Sequence, residues 1–139
     1  MKSAAPVLHL SLPIRDLEES KAFYADALGC EIGRVRDTWI DVWFHGMQLT
    51  LHVRPEQLLP LDPKSVRHFG ITLGADELAA LVARLEARPT LWLTRPTTDY
   101  PGTPREQTKA KIADPSGNVI EIKTYADPAA AFSDEATRR

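Results

Sequence analysis

The sequence repeats one pattern of elements twice, and this repeat constrains the fold more than any other feature. Residues 7–14 (VLHLSLPI) read as a short apolar strand that leads directly into a helical stretch. The same order of strand, short turn and amphipathic helix returns in VRHFGITLGADELAALVARLEAR, which starts at residue 66. His9 and His68 occupy the third position of the two opening strands. Each half continues with three strand candidates, so the pattern predicts βαβββ twice.

In the first half, the helix is marked at both ends. Asp16 and Glu19 have the spacing of a capping box, and Gly29 suits the left-handed position that ends a helix. Between them, an apolar stripe is predicted to face the core: Phe23, Tyr24, Ala27 and Leu28. Three strands should follow, over residues 30–37, 38–44 and 47–53, with the turn between the last two at His45 and Gly46.

The second half should follow a proline-rich linker over residues 55–65. Its helix has an apolar face (Leu78, Leu81, Val82 and Leu85) and ends at Pro89. Residues 90–96 read as a strand, 97–106 as a Pro/Gly-rich loop, 107–113 and 119–125 as strands, and 114–118 (DPSGN) as a turn. We therefore predict an α+β fold in one domain, with module 1 over about 7–54, module 2 over about 66–125 and a peripheral tail over 126–139.

Composition limits the classes of partner. The chain has 139 residues and a formal net charge of −2, and its basic residues are scattered, so neither nucleic acid nor an anionic membrane is an expected partner. Cys30 is the single cysteine and has no internal partner for a disulfide. The first ten residues lack an apolar run of signal-peptide length. We expect a cytoplasmic location.

The repeat, its two histidines and the segment DPSGNVIEI (114–122) together resemble the vicinal oxygen chelate superfamily. This family includes glyoxalase I, bleomycin-binding proteins, extradiol dioxygenases and fosfomycin-resistance transferases. The resemblance covers residues 7–125. It implies curved mixed sheets that pair into barrel-like cavities in a homodimer.

The resemblance also implies a metal site. Carried over by motif position, the ligands are His9, His68 and Glu121, which would hold Fe²⁺, Mn²⁺, Ni²⁺ or Zn²⁺ and leave positions open for a substrate. In the family arrangement, His9 comes from one chain and the other two ligands from the partner. Read from residues alone, a histidine in an apolar strand is also a common hydrogen-bonded core residue, and Glu121 fits the solvent side of a half-buried strand.

A fourth ligand is left open. Glyoxalase-type members carry an acidic residue on the fourth strand of the first module, where this sequence has Thr50. Gln48 and His52 share its face by strand parity. His52 is a candidate fourth ligand, a proton-transfer group, or a polar residue at a strand end.

Other residues are candidates for a substrate pocket. Trp39, Asp41 and Trp43 share one face of their strand, although both tryptophans also suit ordinary packing. Tyr100 lies in the predicted loop, which is long enough for a lid. Lys109 and Lys111 share a face of the next strand and would either hold an anionic substrate or face solvent. Lys111 stands where extradiol dioxygenases carry a tyrosine.

The leading hypothesis is a metal-dependent enzyme acting on a small substrate that chelates the metal through adjacent oxygens. Lyase, isomerase, transferase and dioxygenase chemistry all remain open. The alternative is a metal-free binding protein of the bleomycin-resistance type, which would trap a flat aromatic molecule between tryptophans. A third reading is that the histidines serve packing only.

Overall fold

The computed structural model describes residues 5–133 and has an α+β fold with two open, four-stranded mixed sheets. This confirms the predicted fold class and its two βαβββ modules. The chain divides into two compact units. The first extends to Leu61 and includes Pro115–Asn118, and the second comprises Asp62–Asp114 and the residues from Val119 onward.

The first unit contains strand β1 (His9–Ile14), helix α1 (Leu17–Ala22), β2 (Glu31–Val35), β3 (Trp39–Phe44) and β4 (Met47–Val53). Its sheet has the order β1-β4-β3-β2. Strand β1 lies parallel to β4, and the other neighbours are antiparallel.

The second unit contains β5 (Phe69–Thr72), α2 (Ala75–Glu86), β6 (Leu91–Asp99), β7 (Gln107–Ala113) and β8 (Val119–Tyr125). Its order, β5-β8-β7-β6, has the same topology as the first sheet. Strand β5 is parallel to β8, so the opening strand of each module is an edge strand next to the closing one.

The first sheet has one apolar and one polar face, because side chains alternate along each strand. Its core side chains are buried: Ile40, Val42, Phe44, Leu49 and Leu51. Tyr24 and Ala27, on the turn after α1, are also buried. The alternate residues of β3 and β4 therefore form the polar face, which carries most of the predicted site residues of this unit.

The core of the second unit follows the same rule. Leu78 and Leu85 of α2 are buried, together with alternate residues of the two central strands: Ala110, Ile112, Ile120 and Ile122. Lys109, Lys111 and Glu121 lie between these positions and therefore project from the opposite face.

The turn predictions and the N-cap at Asp16 are confirmed, whereas the Glu19 half of the capping box is not. The Asp16 carboxylate accepts a hydrogen bond from the Glu19 N–H at 2.8 Å, although the Glu19 carboxylate binds the Arg15 guanidinium. Gly29 has φ +73° at the end of the helical segment. The β3–β4 turn has positive φ at both His45 (+47°) and Gly46 (+85°), which matches the twist of a tight hairpin.

Three expectations need correction. The α-helix ends at Ala22, and the predicted stripe continues in a single π-helical turn, Phe23–Ala27. His9 is the first residue of β1 and pairs with Gln48 of β4. His68 lies one residue before β5. Neither histidine is at the third position of an observed strand.

The predicted loop 97–106 is shorter than expected. Strand β6 continues through Pro96 to Asp99, since two register shifts keep it paired with β7 and an edge strand tolerates a proline. The hydroxyls of Thr98 and Thr108 bond across the two strands at 2.8 Å. The tail forms a 3₁₀ turn at Pro128–Ala131, and the rest of the predicted tail, residues 134–139, lies outside the described residues.

Within the described part of the chain, no helix combines the length and the apolar character that crossing a membrane requires.

Candidate metal and substrate site

His68 and Glu121 are brought together at the edge of the second sheet. The register of β5 and β8 pairs Gly70 with Glu121, so the residue two before Gly70 comes within reach of the carboxylate. His68 Nε2 lies 2.7 Å from Glu121 Oε2, with side-chain exposures of 27% and 14%. The other ring nitrogen, Nδ1, is 2.7 Å from the Val66 carbonyl oxygen.

These contacts fix the tautomer of His68. A carbonyl oxygen only accepts hydrogen bonds, so Nδ1 carries the proton that it donates to Val66. In the neutral ring, Nε2 then presents a lone pair to the ionised Glu121 carboxylate, which is also an acceptor. A separation of 2.7 Å therefore needs a proton between Nε2 and Oε2, or a cation bound by both groups.

His9 has the same arrangement in the first unit. Its Nδ1 donates to the Gln48 carbonyl oxygen at 3.0 Å, and its Nε2 accepts from the Ser11 hydroxyl at 3.3 Å. The His9 side chain is exposed. Both histidines therefore have their Nδ1–H on a backbone carbonyl, and the second nitrogen, Nε2, contacts Ser11 in His9 and Glu121 in His68. A backbone partner on one ring nitrogen is also usual for a metal-bound histidine.

The polar face of the first sheet is organised in cross-strand rows. His9, Gln48, Trp43 and Glu31 form one row across four strands. Ser11, Thr50 and Asp41 form the next row, and Pro13, His52 and Trp39 form the third. The predicted pocket residues of β3 and β4 thus share one face.

Thr50 is the counterpart of Glu121 in the other module. In each unit, the residue two positions after the histidine pairs with a residue of the closing strand. These pairs are Ser11 with Thr50 and Gly70 with Glu121. The first module therefore has a hydroxyl where the second has a carboxylate. Its nearest carboxylate is on the neighbouring strand, at Asp41, which accepts a hydrogen bond from Thr50 Oγ1 at 2.8 Å.

Asp41 is a buried charge, with 1% of its surface exposed. Burial raises its pKa, but hydrogen bonds from Arg34, Thr50 and Gln48 and the charge of Arg34 outweigh that effect, so the pKa of Asp41 lies below its usual value. Arg34 Nε donates to Oδ2 at 2.5 Å, and Gln48 Nε2 reaches the same oxygen at 3.5 Å. Asp41 therefore remains ionised and organises its neighbours.

Sequence reasoning missed Gly33 and Arg34. Ile32 pairs with Val42 and Val35 with Ile40, so two residues of β2 oppose the single Asp41. This β-bulge turns Arg34 toward the Asp41 carboxylate. The signal was the stretch CEIGRVRD, whose alternation is poor and which contains a glycine, the common mark of a bulge.

The predicted catalytic residues of the second unit fall into separate settings. Lys109 Nζ binds Asp99 Oδ2 at 2.9 Å, and this hydrogen bond and the nearby negative charges raise the pKa of Lys109 despite partial desolvation. Lys111 lies directly opposite Glu121 in the β7–β8 register. Tyr100 has φ +52°, is half exposed and lies beneath the Arg105 guanidinium at 4.5 Å.

Within residues 5–133 of one chain, no group of three or more His, Cys, Asp and Glu side chains is arranged to hold a metal ion. His68 and Glu121 meet in the second unit, whereas His9 and His52 belong to the first sheet. A cavity of about 630 Å³ also opens in the first unit beside the β3–β4 turn. Its lining includes Leu28, Cys30, Glu31, Trp43 and His45.

A family model described as the glyoxalase/bleomycin resistance protein/dioxygenase superfamily matches residues 7–122. The chain belongs to this superfamily. Its members typically use divalent metals. No match was found among curated proteins.

Solved structures of similar proteins agree with this assignment. A glyoxalase/bleomycin resistance protein/dioxygenase from Alicyclobacillus acidocaldarius is 29% identical, with a TM-score of 0.82 over 95% of this chain and 100% of that one. Two more distant structures share the fold. A glyoxalase/dioxygenase from Nostoc punctiforme has a TM-score of 0.70 at 19% identity, covering 91% and 99% of the two chains. The fosfomycin resistance protein FosX from Listeria monocytogenes has a TM-score of 0.69 at 13% identity, covering 99% of both chains.

Proposed function

We propose that this chain is a divalent-metal-dependent enzyme whose small substrate chelates the metal through adjacent oxygens. His9, His68 and Glu121 would hold the metal. The observation that carries the proposal is the 2.7 Å approach of His68 Nε2 to Glu121 Oε2, with the other ring nitrogen bound to the Val66 carbonyl. Lyase, isomerase, transferase and dioxygenase chemistry all fit this donor set.

The residues present fit a first-row metal ion. Imidazole nitrogen with carboxylate oxygen suits Mn²⁺, Fe²⁺, Ni²⁺ and Zn²⁺. Two such histidines with one carboxylate would leave coordination positions open. The backbone carbonyls of Val66 and Gln48 supply the outer hydrogen bonds that fix the two rings.

The metal would supply Lewis-acid stabilisation of negative charge on a chelating oxygen. The chain's own groups would orient the substrate. Because Thr50 donates its proton to Asp41, its oxygen presents lone pairs and accepts a hydrogen bond from a ligand hydroxyl. His52 lies beside Trp39, with ring centroids 6.3 Å apart, and would serve in proton transfer on the same face.

A shared site in a homodimer completes the proposal. His9 of one protomer would join His68 and Glu121 of its partner, giving two symmetry-related sites. The arrangement is supported by the separation of the ligands between two modules and by the family assignment. We propose a cytoplasmic homodimer with no nucleic-acid or membrane partner.

Metal uptake tests the proposal. Protein stripped with a chelator and titrated separately with Mn²⁺, Fe²⁺, Ni²⁺ and Zn²⁺ should bind one ion per chain. His68→Ala and Glu121→Gln should each weaken binding at least about 10-fold. His45→Asn is the matched control, since it removes an exposed turn histidine and asparagine tolerates its positive φ. Equal binding by all four proteins, or none by the unmodified protein, would exclude the metal site.

The alternative is metal-free sequestration of a flat aromatic molecule. Trp39 and Trp43 lie half-buried on one face of β3, and the 630 Å³ cavity that Trp43 lines is within the usual size range for ligand pockets. Tight quenching of tryptophan fluorescence by a planar drug, in protein that takes up no metal, would favour this function.

A further inference from the structure

Arg34 is held in a fixed position on the polar face of the first sheet. The β2 bulge turns its side chain toward Asp41, whose buried carboxylate accepts its Nε–H at 2.5 Å. The guanidinium also lies over the Trp39 ring, with Cζ 4.8 Å from the ring centroid. A carboxylate at one edge and an indole beneath one face together restrict a side chain that would otherwise be flexible.

The outer edge of this guanidinium is available to a ligand. Only Nε binds Asp41, and among the described residues Nη1 and Nη2 have no hydrogen-bond partner. The Arg34 side chain is 57% exposed, whereas that of Asp41 is 2% exposed. Two parallel N–H groups therefore face outward, in the geometry that binds a carboxylate or phosphoryl group through two hydrogen bonds.

A second guanidinium group lies beside the same tryptophan. Arg36 Cζ lies 5.5 Å from the same Trp39 ring, and its Nη1 donates to the Val35 carbonyl oxygen. Asp37 is adjacent in sequence but forms no ion pair within residues 5–133. Two guanidinium groups therefore lie beside Trp39, and only that of Arg34 binds the buried Asp41 carboxylate.

We propose that Arg34 is an oxyanion-recognition residue, whose Nη1 and Nη2 edge binds the carboxylate or phosphoryl group of a small ligand lying on the polar face of the first sheet. The proposal names a substrate class for the same site. It rests on the proposed function only where it assigns the other end of the ligand to the metal. The contact between Arg34 and the anion is independent of the metal.

The competing explanation is that Arg34 serves only as the counterion of Asp41. In that case the guanidinium stabilises the fold but does not bind anions in preference to other exposed arginines. Arg95 is the matched comparison, because its guanidinium also lies over a tryptophan, with Cζ 5.6 Å from the Trp92 ring, but it has no acidic partner among the described residues.

The test is an anion titration of chelator-treated protein at constant ionic strength. Acetate and methylphosphonate are the two probes, and NMR signals of the Arg34 Nε–H and the Trp39 indole N–H report binding. Both signals should shift and saturate in the unmodified protein. Arg34→Gln should lower the affinity for the tighter-binding anion at least about 10-fold. Arg34→Lys should lower it less, because lysine keeps the charge but loses the paired N–H groups. Arg95→Gln should leave the affinity unchanged.

The outcomes separate the two proposals. The anion that binds more tightly identifies the ligand group as carboxylate or phosphoryl. Unmodified protein whose Arg34 and Trp39 signals do not move, or Arg34→Lys protein that binds as tightly as unmodified protein, overturns the inference, and the first result requires no variant to fold. Metal uptake is measured on the same samples. Anion binding without metal uptake refutes the proposed enzyme alone, and metal uptake without anion binding refutes the role of Arg34 alone.

Discussion

Gly70 is the residue where one methyl group should do most damage to the candidate metal site. A Cβ added there would lie 1.8 Å from the Glu121 carbonyl oxygen, a backbone atom that cannot rotate away. Gly70→Ala must therefore push β5 from β8 and separate His68 from Glu121. We expect it to lower the free energy of unfolding by at least about 3 kcal/mol, measured by urea denaturation.

Gly33→Ala provides the graded comparison. Its added Cβ would lie 2.9 Å from Trp43 Nε1, a side-chain atom that can shift, and 3.2 Å from Asp41 Cβ, a tight contact. We expect Gly33→Ala to lower the free energy of unfolding by about 1 kcal/mol, which is less than the effect of Gly70→Ala. If the two variants were equally stable, the close backbone approach of β5 to β8 would be wrong.

The lowered pKa of Asp41 predicts how the stability of the protein changes with pH. Its pKa is lower in the folded protein than the usual value of 3.8, so its stabilising contribution is complete above that value and is lost as the pH falls through the lowered folded pKa. Asp41→Asn should cost about 2 kcal/mol at neutral pH, since it removes charge-assisted hydrogen bonds. The difference from unmodified protein, measured by urea denaturation, should shrink below about pH 4. A difference independent of pH would contradict this account.

Sequence alone placed some site residues but could not supply their contacts. Strand parity put Trp39, Asp41 and Trp43 on one face, and the β3–β4 and β3–β2 registers agree. It could not show that Asp41 is buried and bound by Arg34, because that contact depends on a bulge, and a bulge reverses the alternation on which parity arguments depend.

At the scale of elements, β6 and β7 show how the second sheet places its lysines. Lys109 is tied to Asp99 at the end of β6, and Lys111 lies opposite Glu121. The sequence predicted β7 but assigned residues 97–99 to a loop, because they begin the Pro/Gly-rich stretch 97–106. Cross-strand partners, which no local pattern reveals, extend β6 past the proline.

The Lys109–Asp99 pair should contribute little to stability, because both side chains are about one-third exposed. Lys109→Met should change the free energy of unfolding by less than about 1 kcal/mol at neutral pH. The folded pKa of Lys109 is raised, so the contribution is complete below the usual value of 10.5 and disappears as the pH rises through the folded pKa. Thermal unfolding of both proteins at pH 7 and above pH 11 measures the difference in stability. A larger difference at the higher pH would contradict the assignment.

At the scale of the whole molecule, the repeat explains why the fold was predictable and the site was not. Each βαβββ module follows from local patterns, and the two sheets share one strand order. The metal-site prediction instead joins His9 to two residues of the other module, and periodicity says nothing about which protomer supplies each ligand. In the proposed shared site, oligomeric assembly would supply that information.

Mixed dimers test the shared metal site most directly. Co-expressed His9→Ala and His68→Ala chains, carrying different affinity tags, would be purified in tandem as heterodimers and stripped of metal. A site shared between protomers leaves one intact ligand set in each mixed dimer, formed by His9 of the His68→Ala chain and by His68 and Glu121 of the other. We expect the heterodimer to bind one divalent ion tightly and each parent homodimer none. Failure of the heterodimer to bind metal, when unmodified protein does, would contradict the shared site.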